Sequence, residues 1–153
     1  MSLIADIKRD QLKARMYKNT ATASLLTTLI GEVDMVGLNA GKRETTDVET
    51  VTIIKKFIKN SEENAQHWNH RNPESQNKRQ VFLKEIEILE KYVPTQLSES
   101  DMTKILVDVF KHEVIIPSLK GKMMKYLKDN HAGKYDGKVA AGVVDAILAV
   151  GKL

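Results

Sequence analysis

Phe82-Leu83-Lys84-Glu85-Ile86-Glu87-Ile88-Leu89-Glu90-Lys91-Tyr92-Val93-Pro94-Thr95-Gln96-Leu97-Ser98 decides the fold of this chain. Phe82, Ile86, Leu89 and Val93 recur at i, i+4, i+7 and i+11, the spacing of one apolar face of an α-helix. Pro94 ends that helix, because proline disfavours helical backbone at the residue before it. Ser98 then stands three residues ahead of Asp101, a cap for a new helix. The stretch predicts the end of one helical body at about residue 93 and the start of another at about residue 98, with Tyr92 to Leu97 as the boundary.

Upstream, helical periodicity continues and no alternating strand pattern occurs. A first helix is expected from Ser2 as N-cap to about Tyr17, with Leu3, Ile4, Ile7, Ala14 and Met16 as its apolar residues. A second begins near Thr20, buries Leu25, Leu26, Leu29, Ile30, Val33 and Val36, and ends in a loop holding Gly37 and Gly41. Thr46-Asp47-Val48-Glu49 forms a capping box. The helix that follows sets Val51, Ile54, Ile58, Ala65 and Trp68 on one face. Asn72-Pro73 ends it and opens the fourth, with proline suited to a first helical position.

Downstream, Ile105, Leu106, Val109 and Phe110 are the expected buried side of the fifth helix. Pro117-Ser118 opens a sixth with Leu119, Met123 and Leu127 inward, closed by His131-Ala132-Gly133. Asp136 caps a seventh that buries Val139, Val143, Val144, Ile147 and Leu148. The expected fold is all-α, with an N-terminal helical domain over residues 1–93 and a compact three-helix domain over 98–153.

The chain has 153 residues, no cysteine and one tryptophan. The missing thiols exclude disulfides, thiolate metal sites and a cysteine nucleophile. The absence of any run of about 18 apolar residues predicts no membrane span. The opening residues, charged from Asp6 onward, do not read as a signal peptide or a presequence, so a cytoplasmic location is expected.

Chemistry-bearing motifs are sparse. There is no G-x-S-x-G elbow, and Gly121-Lys122 and Gly133-Lys134 lack the spacing of a phosphate-wrapping loop. No cofactor is expected. Glu63, His67 and His70 share a helix face at i, i+4 and i+7, with residue types that suit zinc. They have no identified fourth ligand and sit among Asn64, Gln66, Asn69 and Arg71, so a solvated helix end is expected and no metal.

Charge is more informative in its distribution than in its total of +4. Residues 118–138 carry six lysines against Asp129 and Asp136, whereas residues 98–117 carry more acids than bases. Lys122, Lys125 and Lys128 are successive i, i+3 neighbours. Asp136-Gly137-Lys138 begins the last helix, whose N-terminal N–H groups can hold an anion. The candidate anion-binding residues are Lys122, Lys125, Lys134, Asp136, Gly137 and Lys138, with Gly121 and Gly133 as backbone elements of the motif.

These same residues carry a resemblance. Gly121-Lys122-Met123-Met124, followed by Gly133-Lys134-Tyr135-Asp136-Gly137-Lys138, resembles the G-K-V-M-G … G-[RK]-x-D-G-K pattern of the YqeY-like family. Lys125 stands at that pattern's second glycine. Glu90-Lys91-Tyr92-Val93-Pro94-Thr95-Gln96-Leu97-Ser98 resembles the family's E-x-Y-L-P-x-Q-L-S segment. The resemblance implies an all-helical protein whose tail is similar to the one ending the B subunit of the tRNA-dependent amidotransferase, where it helps hold tRNA. It also carries a label of glutamine-dependent carbon–nitrogen ligase activity, for which no catalytic motif stands in this sequence. The expectation is a non-catalytic accessory protein that binds tRNA. The alternatives are a helical protein–protein adaptor, with a partner such as an aminoacyl-tRNA-related enzyme, or an accessory to amidotransferase activity.

Overall fold

The computed structural model of the protein describes residues 2–69 and 71–151. Among these it contains seven α-helices and no strand. The chain divides into two compact units, Met1–Val93 and Pro94–Leu153.

Unit 1 is built from α1 (Leu3–Met16), α2 (Thr20–Asn39), α3 (Asp47–His67) and α4 (Pro73–Glu90). Side-chain caps set most of the starts. Asn19 accepts from the Thr22 N–H, and Asn72 from the Ser75 N–H just ahead of Pro73. Thr46 and Glu49 form the reciprocal capping box of α3. Ser2 stands at the N-cap of α1 as expected, but its side chain does not do the capping. Ser2 makes no side-chain cap bond; instead the Leu3 N–H donates to Asp47 Oδ1 at 2.9 Å. One carboxylate from the first turn of α3 thus satisfies an N–H that α1 cannot pair internally.

The pairs α1–α2 and α3–α4 pack as helical hairpins around Ile4, Ile7, Leu26, Leu29, Val33, Ile54 and Leu89. Burying a leucine-sized side chain stabilises by about 1.5–3 kcal/mol, so these residues carry the unit. Three expectations need correction. Met16 is 79% exposed and lies outside the core, because it projects from the far side of α1 relative to Ile7 and Ala14. In the Phe82–Val93 stripe only Leu89 is fully buried, and Phe82, Ile86 and Val93 are half-buried. The second helix does not end before Gly37; it runs through it to Asn39. Gly37 is buried because the loop returns onto it: a Cβ there would stand 2.2 Å from the Arg43 carbonyl oxygen and 2.8 Å from Thr45 Oγ1. Thr45 accepts from the Gly37 N–H and donates to the Val33 carbonyl, which fastens the loop to the helix.

By length and composition α2 is long and apolar enough to cross a membrane, although no unbroken apolar run in the sequence announces it. Within unit 1 its Leu26, Leu29 and Val33 are fully buried against the neighbouring helices. Its other side carries Ser24, Thr28, Gly31, Glu32 and Asp34 in exposed positions.

Unit 2 consists of α5 (Glu99–Phe110), α6 (Leu119–Asn130) and α7 (Gly137–Val150). Ser98 and Asp101 form the capping box of α5, and hydrogen bonds from Ser98 hold the Asp101 carboxyl below its ordinary pKa. Met102, Leu106 and Phe110 meet Leu119, Met123 and Leu127 and the α7 residues Ala140, Val143, Val144 and Ile147. The α6 face is as expected. On α5 the inward line is i, i+4, i+8 from Met102, which leaves Val109 43% exposed and Ile105 half-buried. On α7 the inward line begins at Ala140, and Val139, expected inside, is 39% exposed.

Candidate nucleic-acid interface

The lysine-rich segment occupies α6, the turn over residues 131–136, and the first turn of α7. Lys120 near the start of α6 pairs with Asp145 in the second half of α7 at 2.6 Å. With a six-residue turn joining the other ends, the two helices run antiparallel. Leu119, Met123 and Leu127 point into the core. At 100° per residue this places Lys125 and Lys128 on the opposite, solvent side of α6, and both are exposed. Lys122 lies on a flank, 3.5 Å from Glu113 in the preceding loop. Both members of that pair are largely solvated, so the contact restrains Lys122 little.

The turn is held by its backbone. The His131 N–H donates to the Leu127 carbonyl at 2.8 Å and the Lys134 N–H to the His131 carbonyl at 3.0 Å. Gly133 has φ +77°, a conformation that favours glycine. The segment after Pro94 closes over the turn: Gln96 Nε2 donates to the Gly133 carbonyl at 3.0 Å, and the Leu97 N–H to the Lys134 carbonyl at 2.6 Å. The Lys134 side chain is left exposed. Beneath, Tyr135 is half-buried against the core, and burial, with Asp129 nearby, raises its pKa.

Asp136 caps α7, accepting on Oδ1 from the Lys138 N–H at 2.8 Å and the Val139 N–H at 3.0 Å. The expectation of open N–H groups at this helix start is therefore corrected. Two first-turn donors are satisfied by the protein's own carboxylate, which also sets a negative charge where an anion was expected. Gly121 and Gly137 are exposed, with nothing within 4 Å of a Cβ built on either, so neither serves a close backbone approach.

The structure thus gathers Lys128, Lys134 and Lys138 at the α6–α7 turn, with Lys125 one turn back on α6. None of these four forms an ion pair among the described residues. Lys122 lies further from the turn. Lys128, which the sequence places in register with Lys122 and Lys125, belongs with the candidate set. Gln96, which the sequence marks only within the segment around Pro94, is also part of this locality.

Of the Glu63, His67 and His70 candidates in unit 1, the structure describes the first two. Glu63 and His67 are exposed near the end of α3, and the His67 ring stands edge-on to Trp68 at 5.3 Å. His70 lies outside the described residues. Among the described residues no group of three histidine or acidic side chains is placed to hold a metal ion. Trp68 is half-buried at the end of α3, with Lys78 Nζ 4.1 Å from its ring centroid.

Fold and surface together define an all-α protein of two helical units, the second a three-helix domain with an exposed lysine-bearing turn. Residues 3–148 match the family described as Yqey-like protein, and the chain belongs to that family. Comparison with curated proteins finds no match.

Proposed function

We propose that the protein is a non-catalytic accessory that binds tRNA through unit 2, using Lys125, Lys128, Lys134 and Lys138, with Lys122 at the margin. The observation that carries this reading is the group of exposed lysines, Lys125, Lys128, Lys134 and Lys138, that form no ion pair among the described residues and surround one turn held by backbone hydrogen bonds. Lysines act as point charges toward phosphate oxygens and supply affinity without reading sequence. Recognition then follows the shape and backbone of the folded RNA more than base identity.

A mobility-shift assay of the full chain with mixed tRNA tests this, with DNA single strands of equal length as competitor. Retention of the tRNA complex under a mass excess of DNA supports the proposal. Equal competition reduces the surface to a general polyanion binder, and absence of a complex removes the proposal.

A further inference from the structure

Unit 1 carries an open groove of about 1170 Å³, walled by the C-terminal half of α1, the first turns of α2 and the C-terminal halves of α3 and α4. Small-molecule pockets span about 300–1,000 Å³ and enclose most of the ligand. This groove is larger and open along one side, the form that accepts a helix. Its floor is apolar, formed by the half-buried Leu25, Phe57 and Ile88 over the core residue Leu26.

The charges along its rim are unevenly committed. Among the lining carboxylates, Asp10 accepts from the Tyr92 hydroxyl at 2.8 Å and Glu85 from the Ser61 hydroxyl at 2.9 Å. Lys13, Lys84 and Lys91 also line the groove, and none forms an ion pair among the described residues. Among the described residues, Glu87 is the one lining carboxylate that forms neither an ion pair nor a hydrogen bond. Lys84 and Lys91 are seven residues apart on and just beyond α4, two turns or about 10 Å along it.

We infer that the groove receives an amphipathic helix from a protein partner, its apolar stripe on the floor and its carboxylates, two turns apart, toward Lys84 and Lys91. The apolar floor supplies the affinity, and the rim charges orient the helix and select against basic ones. A phosphate backbone fits this groove less well, since it would meet Asp10, Glu85 and Glu87 together with an apolar floor. The inference rests on unit 1 alone and is independent of tRNA binding by unit 2.

The test uses the full chain and two synthetic helical peptides of about 18 residues, five turns. Both carry the same leucine stripe, one flanked by glutamates two turns apart and the other by lysines at those positions. Fluorescence anisotropy is expected to show saturable binding of the glutamate peptide and roughly ten-fold weaker binding of the lysine peptide. The double variant Lys84→Glu, Lys91→Glu, which alters only exposed side chains, is expected to invert that order. Equal binding of the two peptides, no binding of the glutamate peptide, or a preference unmoved by the charge swap overturns the inference. Competition by tRNA that depends on Lys84 and Lys91 also overturns it, by assigning the groove to nucleic acid.

Discussion

Gln96 Nε2 donates to the Gly133 carbonyl oxygen at 3.0 Å, across 37 residues of chain. The same amide also donates to the Pro94 carbonyl at 2.7 Å. Two segments that stand out separately in the sequence, the one following Pro94 and the glycine–lysine turn before α7, are thus one structural element of unit 2. The turn that presents Lys134 is braced by a side chain that carries no charge.

Replacing Gln96 by Ala should cost about 0.5–1.5 kcal/mol, the range for a net hydrogen bond. It should also speed hydrogen exchange at the Leu97 amide, whose bond to the Lys134 carbonyl depends on the same docking. Unchanged exchange at that amide would show that the turn holds itself.

Leu89→Ala should cost roughly 2–5 kcal/mol, because Leu89 is completely buried in unit 1. Ile86→Ala should cost less, since Ile86 is half-buried. Denaturant melts that rank Ile86 above Leu89 would place the inward face of α4 elsewhere.

Two glycines of α2 should respond in opposite directions. At Gly37 an added methyl meets the Arg43 carbonyl oxygen and Thr45, so Gly37→Ala should destabilise by about 1–3 kcal/mol or more through overpacking. Gly31 is exposed on the same helix with nothing within 4 Å of its Cβ position. There the gain in helix propensity should stabilise by about 0.5–1 kcal/mol. A shared sign for the two substitutions in thermal melts would contradict the packing of residues 43–45 onto α2.

Acid should weaken unit 1 through Glu49. The Arg43 guanidinium and the Thr46 backbone N–H hold its carboxyl at about 2, well below its ordinary value. A carboxyl with a depressed folded-state pKa contributes stability at pH values above its unfolded pKa and loses it as pH falls toward the folded value. The melting temperature of the parent should therefore fall more steeply than that of Glu49→Gln between the ordinary carboxylate range and about pH 2. Parallel curves would mean that the Arg43–Glu49 contact, 2.6 Å in the structure, does not persist in solution.

The helices themselves were legible, because caps and apolar spacing are local. Thr46 with Glu49, Asn72 with Pro73, Ser98 with Asp101, and Asp136 all start helices in the structure. Tertiary placement was less so. Nothing near Ser2 announces that Asp47 caps α1. Gly37 reads as a helix terminator until the loop that needs its bare Cα is seen. On α5 and α7, Val109 and Val139 satisfy an apolar pattern as well as Met102 and Ala140 do, and only the directions of the neighbouring helices choose between them. The lysine cluster was visible as composition. The reading of Asp136 as a cap already implied that it takes first-turn N–H groups of α7, and the structure identifies them as those of Lys138 and Val139.

The central claim is that exposed lysines at the α6–α7 turn bind tRNA through its phosphates. It is tested most directly by the salt dependence of the tRNA affinity of the full chain, measured beside a variant with Lys122, Lys125, Lys128, Lys134 and Lys138 all replaced by Ala. If all five lysines reach phosphates, the logarithm of affinity should fall against the logarithm of salt with a slope of about −4, and each single replacement should reduce that slope by about one unit. The fivefold variant should remain folded, since exposed lysines contribute little to stability, and should lose binding. A parent that binds no tRNA, or a fivefold variant that binds as tightly as the parent at every salt concentration, would contradict the claim.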